Sequence, residues 1–195
     1  MIKSLILGGG CFWCVEHDLK EAIGVMSVIS GYSGGDTTTP TYENHKGHRE
    51  VVLVEYVDEG GRGDAEDSSP NVKGGVTSYK KLLQFFIDHI DPIDDGGQFA
   101  DRGESYKTAI FYESEEEKRI AENVIQELDY SKVYDKPAVI EILPRKEFYK
   151  AEEYHQNYAE NNPTHYNAYR VGSGRDSFVN RTCQIREEKK INWKE

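Results

Sequence analysis

An apolar run over 2–7 is broken by Gly8-Gly9-Gly10. A short run of this kind, closed by residues that allow a sharp turn, predicts a buried strand. Phe12, Val15, Leu19, Ala22 and Ile23 then recur at helical spacing up to Gly24, the expected stop of a helix. Positions 25–32 and 50–57 return to strand patterning, the second rich in β-branched residues. Between them, 33–47 is crowded with Gly, Thr, Pro and Asn and predicts a loop carrying Pro40-Thr41-Tyr42. Leu82, Leu83, Phe86, Ile87 and Ile90 mark an amphipathic helix from near Ser78 to a stop before Pro92. A second polar loop covers 91–104 and a strand 106–112. Ser114-Glu115-Glu116-Glu117 forms a capping box that opens a helix with Ile120, Val124 and Leu128 inward. One more strand, 138–143, is ended by Pro144, and a short helix is expected over 152–161.

Up to Tyr112 the order is strand, helix, strand, strand, helix, strand. That is the split βαβ, or ferredoxin-like βαββαβ, arrangement, so the expected class is α+β with an extra helix, strand and C-terminal extension. We expect a single catalytic domain over 1–185 and a C-terminal tail over 186–195. Segment 58–76 is rich in glycine and acidic residues and poor in apolar ones, which predicts a surface insertion. A fold of this kind serves many functions, so the sites must decide.

Composition narrows the classes. In 195 residues, 24 Lys+Arg stand against 35 Asp+Glu, a formal charge of −11. That balance argues against a nucleic-acid binder, whose affinity comes from clustered cations. No apolar run approaches the roughly 18 residues of a membrane span, and the apolar stretch at the N-terminus is too short for a signal peptide. The chain is therefore expected to be cytoplasmic, without a membrane partner, and to act as a monomer. Three cysteines, Cys11, Cys14 and Cys183, make a disulfide framework unexpected and turn attention to reactive or metal-bound thiols.

The strongest chemical signal is Gly8-Gly9-Gly10-Cys11-Phe12-Trp13-Cys14. It puts Cys11 where a strand ends and a helix begins, where unpaired N–H groups and the helix dipole favour a thiolate. The bland alternative is a buried structural cysteine beside core aromatics. A dinucleotide site is disfavoured because Trp13 stands at the third glycine of that fingerprint. Zinc is the structural competitor: Cys11, Cys14, His45 and His48 give C-x2-C and H-x2-H, but thirty residues apart and with a short histidine spacing. A second constellation joins Tyr42 and Glu50 with Asp101 and Tyr106. A carboxyl at a strand start, flanked by tyrosines, serves as a general acid if burial raises its pKa. Taken singly, such residues are usually solvated or packed with a wetted hydroxyl.

Gly-Cys-Phe-Trp at 10–13, Pro40-Thr41-Tyr42, Gly47-His48-x-Glu50-Val51-Val52, Ser105-Tyr106-Lys107-Thr108-Ala109-Ile110, Ala151-Glu152-Glu153-Tyr154-His155-Gln156 and Asn162-Pro163 resemble, in order, the A-type peptide methionine sulfoxide reductases. The resemblance runs to about Cys183. It implies that Cys11 attacks the sulfoxide sulfur and that Phe12 and Trp13 form a pocket for the substrate methyl. It also implies that Glu50 protonates the sulfoxide oxygen with help from Tyr42 and Tyr106, and that Asp101 binds main-chain polar groups of the substrate. The implied reaction reduces methionine-S-sulfoxide, free or in proteins, through a Cys11 sulfenic acid and an intramolecular disulfide recycled by thioredoxin, with no cofactor. Cys14 and Cys183 compete to resolve the sulfenic acid, and loop closure favours Cys14 first, with Cys183 a relay or bystander. The sequence departs from the family pattern in a shorter 42–47 loop, in the 58–76 insertion and in having Cys14 where many members have glycine. The rival reading is a zinc-stabilised or redox-inert module whose aromatic pocket holds a methionine-like side chain without turnover.

Overall fold

The computed structural model describes residues 1–59 and 75–189. Most of the expected insertion and the end of the expected tail therefore lie outside the described residues. Among the described residues the elements follow in the order β1 (Ile2–Gly8), α1 (Phe12–Leu19), β2 (Val25–Ser33), β3 (Arg49–Val57), α2 (Tyr79–Asp88), β4 (Gly97–Gln98), β5 (Asp101–Arg102), β6 (Ala109–Tyr112), α3 (Glu115–Ser131), β7 (Glu141–Pro144), β8 (Tyr149–Lys150), α4 (Tyr158–Asn161), α5 (Pro163–Gly172) and α6 (Arg175–Lys189).

The main sheet has the order β7-β6-β1-β3-β2-β8. Its inner four strands, β6-β1-β3-β2, are antiparallel neighbours and form the expected ferredoxin-like core. β7 joins β6 in parallel, and β8 closes the opposite edge against β2. Alternation along β1 and β3 sorts side chains between two faces. Leu5, Leu7, Val52, Val54 and Tyr56 pack in the large core with Leu82, Leu83, Phe86 and Ile87 of α2 and Ala121, Val124 and Leu128 of α3. Ile6, Val51, Ala109 and Phe111 form a smaller cluster on the other face. Each large apolar side chain so buried contributes about 1.5–3 kcal/mol.

The helix caps follow the sequence. Ser78 accepts from the Lys81 N–H and Ser114 from the Glu117 N–H. The Glu117 carboxylate reaches back to the Glu113 N–H at 2.7 Å, one residue beyond the usual capping-box partner.

Several elements differ from expectation. α1 ends at Leu19, and Ile23, expected inward, is exposed. Tyr106 lies in a single 3-10 turn (Glu104–Tyr106), not in the following strand, which starts at Ala109. The helix expected over 152–161 splits into a 3-10 turn (Glu153–His155) and the short α4, because Asn157 takes a left-handed φ of 54° between them. α6 carries Cys183 and runs on to Lys189, so the boundary expected at 185/186 falls inside a helix. The described start of segment 58–76 is tied down: the Asp58 N–H donates to Met1 O and the Glu59 N–H to Thr77 O.

Candidate active site

The site begins at the C-terminal end of β1. Gly9 is packed so tightly that a Cβ there would lie 2.8 Å from Phe86 and 2.9 Å from Val15. Gly10 has φ +81°, and its Cβ would sit 2.5 Å from the Cβ of Gln98. Only glycine meets both demands at Gly10. The turn delivers Cys11 as the N-cap of α1, where its carbonyl accepts from the Cys14 and Val15 N–H groups.

Cys11 has no side-chain capping bond; instead the Phe12 N–H donates to Glu50 Oε2 at 3.1 Å. The register explains how β3 reaches this point. Leu7 lies opposite Val52, so the first residues of β3 flank the end of β1. Glu50 shares the face of Val52, Val54 and Tyr56 and is 3% exposed. It is a carboxyl at the open end of a hydrophobic face, beside the helix start that carries the thiol.

Asp101 arrives on the β4–β5 hairpin. Gln98 anchors that hairpin through bonds to both main-chain groups of Asp91, and Asp101 pairs with Gln98 across it. From α5, the Tyr169 hydroxyl donates to the Asp101 carboxyl. Tyr106 contacts the Glu50 carboxyl by a hydrogen bond. Tyr42 is held by its N–H, which donates to Glu152 at 2.9 Å, and its ring lies 4.7 Å from that of His155. Glu50, Asp101 and Cys11 each act on the ionisation of both Tyr42 and Tyr106, so these five groups converge.

The aromatic wall is larger than the sequence suggested. Trp13 stacks on Tyr158 at 3.8 Å and donates its indole N–H to His155 Nδ1 at 3.0 Å, with Tyr169 against its edge. Because Nδ1 accepts that bond, the neutral His155 ring carries its proton on Nε2. Phe12 is 1% exposed and packs between Tyr32 and His155, as the floor beneath the wall. His155, Tyr158 and Tyr169 were given no role from sequence. The first lies in the Tyr-His-Gln segment of the resemblance, and the last two sit at positions whose inward direction no hydrophobic repeat betrays.

Protons are distributed unevenly. Burial raises the Glu50 pKa to about 8, against the bonds from Phe12 and Tyr106 and with the help of the Asp101 charge. Burial also pushes the Cys11 thiol well up, reinforced by its bond to Cys14 and by the charges of Cys14, Glu50 and Asp101. The Cys14 thiol is drawn down to about 7 by the bond it accepts from Cys11, with Arg175 and Arg170 adding to the effect against its burial. Of the pair, ionisation is eased at Cys14 and opposed at Cys11, where burial and the acidic neighbours work against the favour that the helix start gives a thiolate.

Cys183 is exposed on α6, eight residues past Arg175, whereas Cys11 and Cys14 are buried. The four candidate zinc ligands do not assemble. His48 turns to the hydroxyl and carbonyl of Thr37 at 2.9 and 3.0 Å, and His45 stacks on Tyr32. Among the described residues no three His, Cys, Asp or Glu side chains could hold a metal ion.

Two buried thiols in hydrogen-bond contact, with a protonated carboxyl beside them, define a thiol-dependent oxidoreductase. The family model described as peptide methionine sulfoxide reductase matches residues 3–64 and 70–187. The chain is 43% identical over 175 residues to the peptide methionine sulfoxide reductase MsrA of Bacillus velezensis, covering 88% of this chain and 90% of that one. With the same enzyme of Bacillus subtilis it shares 44% over 175 residues, again 88% and 90%. Among solved structures, reduced Mxr1 from Saccharomyces cerevisiae superposes with a TM-score of 0.66 at 25% identity, over 83% of this chain and 86% of that one. Methionine sulfoxide reductase A of Corynebacterium diphtheriae gives 0.64 at 26%, over 83% and 76%. The chain belongs to the A-type peptide methionine sulfoxide reductases, and it reduces methionine sulfoxide through catalytic cysteines. Only residues 65–69 within the expected insertion fall outside the family match, so the departure from the family is narrower than 58–76.

Proposed function

We propose that the enzyme reduces the S epimer of methionine sulfoxide, free or in proteins, with Cys11 as nucleophile, Glu50 as acid and Cys14 as resolving thiol. The observation that carries this reading is the buried Cys11–Cys14 pair at the start of α1 with the Glu50 carboxyl bonded to the adjoining Phe12 N–H. Cys11 attacks the sulfoxide sulfur as its proton passes to Cys14, the thiolate already bonded to it. Glu50 protonates the departing oxygen, assisted by the hydroxyls of Tyr42 and Tyr106. The oxygen moves from methionine sulfur to Cys11 sulfur, leaving a sulfide and a Cys11 sulfenic acid. Cys14 then attacks the Cys11 sulfur, the S–O bond breaks, and water leaves. Reduction of the resulting disulfide by an external dithiol of the thioredoxin kind closes the cycle.

Trp13 and Phe12 receive the methyl group, and Asp101, held by Tyr169, accepts main-chain N–H groups of the substrate. A fixed methyl pocket and a fixed acid leave one sulfur handedness able to present its oxygen. Cys183 is a relay or bystander: it is exposed on α6, eight residues and about 12 Å of helix beyond Arg175. We read the enzyme as a cytoplasmic monomer with no nucleic-acid or membrane partner. No described helix is long and apolar enough to cross a membrane.

The test is incubation with resolved sulfoxide epimers and dithiothreitol, with methionine release measured. Turnover of the S epimer alone, lost in Cys11→Ser, is the expected result. Equal rates on both epimers, or substantial turnover in Cys11→Ser, contradicts the reading.

A further inference from the structure

Glu16 stands on α1 three residues past Trp13, so the two side chains are neighbours along the helix. It is 2% exposed, and a buried carboxylate is costly unless it is paired and hydrogen-bonded. Three donors meet it. Glu16 Oε1 accepts from the Asn157 N–H at 2.8 Å and faces Lys20 Nζ at 2.9 Å, and Oε2 accepts from the Ser30 hydroxyl at 2.7 Å. Ser30 belongs to β2, Lys20 follows the last residue of α1, and Asn157 precedes α4. One carboxylate thus joins α1, the sheet and a segment more than a hundred residues further on.

That segment carries the back of the aromatic wall. His155 accepts the Trp13 indole N–H, and Tyr158 stacks on the Trp13 ring. Between them stands Asn157, whose φ of 54° is left-handed and strained for a residue with a Cβ. Its N–H is the one that Glu16 takes. Gln156 secures the position before it: the side chain accepts from the Ser30 N–H at 3.1 Å and donates to the Ser30 and Ala151 carbonyls at 3.0 and 2.9 Å. Gln156 therefore ties the segment to β2, and Glu16 ties it to the helix that carries Trp13 itself.

We propose that Glu16 is a positioning residue for the aromatic wall of the substrate pocket: by holding the strained main chain of Asn157 against α1, it sets how closely His155 and Tyr158 meet Trp13. It acts through Asn157 and not on the substrate. The bond to the Asn157 N–H carries the effect, while Lys20 offsets the charge that the bond requires to be buried. The proposal rests on the reading that Trp13 receives the substrate methyl, and its test reads the wall and the affinity separately, so either can fail without the other.

The chain's tryptophans are Trp13 and Trp193, so the full chain carrying Trp193→Phe reports on Trp13 alone. Acrylamide quenching of its fluorescence reads how closely the wall holds the indole, and single-turnover methionine release against methionine-S-sulfoxide concentration reads the affinity. Glu16→Asp keeps the charge but is one C–C bond, about 1.5 Å, shorter, and does not span Asn157 and Ser30 together. Glu16→Gln loses the charge but keeps an acceptor for the Asn157 N–H. The Asp variant should be quenched more readily and need about tenfold more sulfoxide for half-saturation, the scale of one lost hydrogen bond, with its plateau rate kept. The Gln variant should stay near the native values in both. Native quenching in a folded Asp variant, or quenching raised as much in the Gln variant as in the Asp variant, overturns the proposal; a carboxylate kept only as the counter-ion of Lys20 predicts that reversed order. If the Asp variant does not fold, the Gln variant decides: native quenching supports the proposal and raised quenching overturns it. Raised quenching in the Asp variant with an unchanged half-saturation supports the tie and overturns instead the reading of Trp13 as the methyl pocket.

Discussion

With its pKa pushed up to about 8, chiefly by burial, the Glu50 carboxyl holds its proton at neutral pH, where a free glutamate at about 4.3 has lost it. The Glu50 carboxyl is thus driven up while the Cys14 thiol is drawn down, titrations moved in opposite directions within one site. The sign of the pH dependence follows. Raising the pKa extends the acid form upward, so the reductive step should slow as pH rises through about 8, where Glu50 deprotonates. Glu50→Gln should cut the single-turnover rate by roughly a hundredfold and remove this alkaline limb from what remains. Rapid-quench measurement of methionine release across the range checks both, and an alkaline limb unchanged in the variant would assign the proton elsewhere. Glu50 was legible in part: its place in the period-2 pattern with Val52, Val54 and Tyr56 sets it on the core face. Its meeting with Asp101 and Tyr106 was not, because both stand on a loop whose path depends on Gln98 bonding to Asp91.

The turn 8–10 and helices α5 and α6 are the elements that make the site. Gly10→Ala combines a left-handed φ with a contact at 2.5 Å and should destabilise the fold by about 1 kcal/mol or more. It should also lower turnover further than that loss of folded protein explains, because the strained turn carries Cys11. Urea unfolding beside kcat on the folded fraction separates the two, and a kcat at the native level would show that the turn tolerates displacement. The turn was legible as a glycine triplet between two periodic segments. α6 was not, for a specific reason: among its described side chains the buried positions are Arg175, Val179 and Thr182, which share one helical face but present a single apolar residue to a hydrophobic repeat. The short helix expected over 152–161 is broken at Asn157, whose φ of 54° no periodicity reveals.

Over the whole molecule, the sheet and the helices α1, α2 and α3 that share its large core form the base, and the catalytic groups come from its rim and from the C-terminal third. The ferredoxin-like order was legible because β1, β2 and β3 each read as a strand run, α1 and α2 as helical spacings, and glycine-rich or polar stretches mark the breaks. Leu83 lies fully buried on α2, in the large core and outside the cluster of Cys11, Cys14 and Tyr166. Leu83→Ala should cost about 2–5 kcal/mol of stability and leave the pH profile of the folded fraction unchanged. A shifted profile would show that base and site are not separable.

The central claim is that Cys11 takes the oxygen and Cys14 resolves it. One turnover with methionine-S-sulfoxide and no external reductant, followed by non-reducing peptide mapping, tests this most directly. The account predicts about one methionine released per chain, the two-thiol stoichiometry of sulfoxide reduction to a disulfide, with Cys11 joined to Cys14 and Cys183 still a thiol. Cys11 joined to Cys183, in a protein whose Cys14→Ser variant still cycles with thioredoxin, would contradict it.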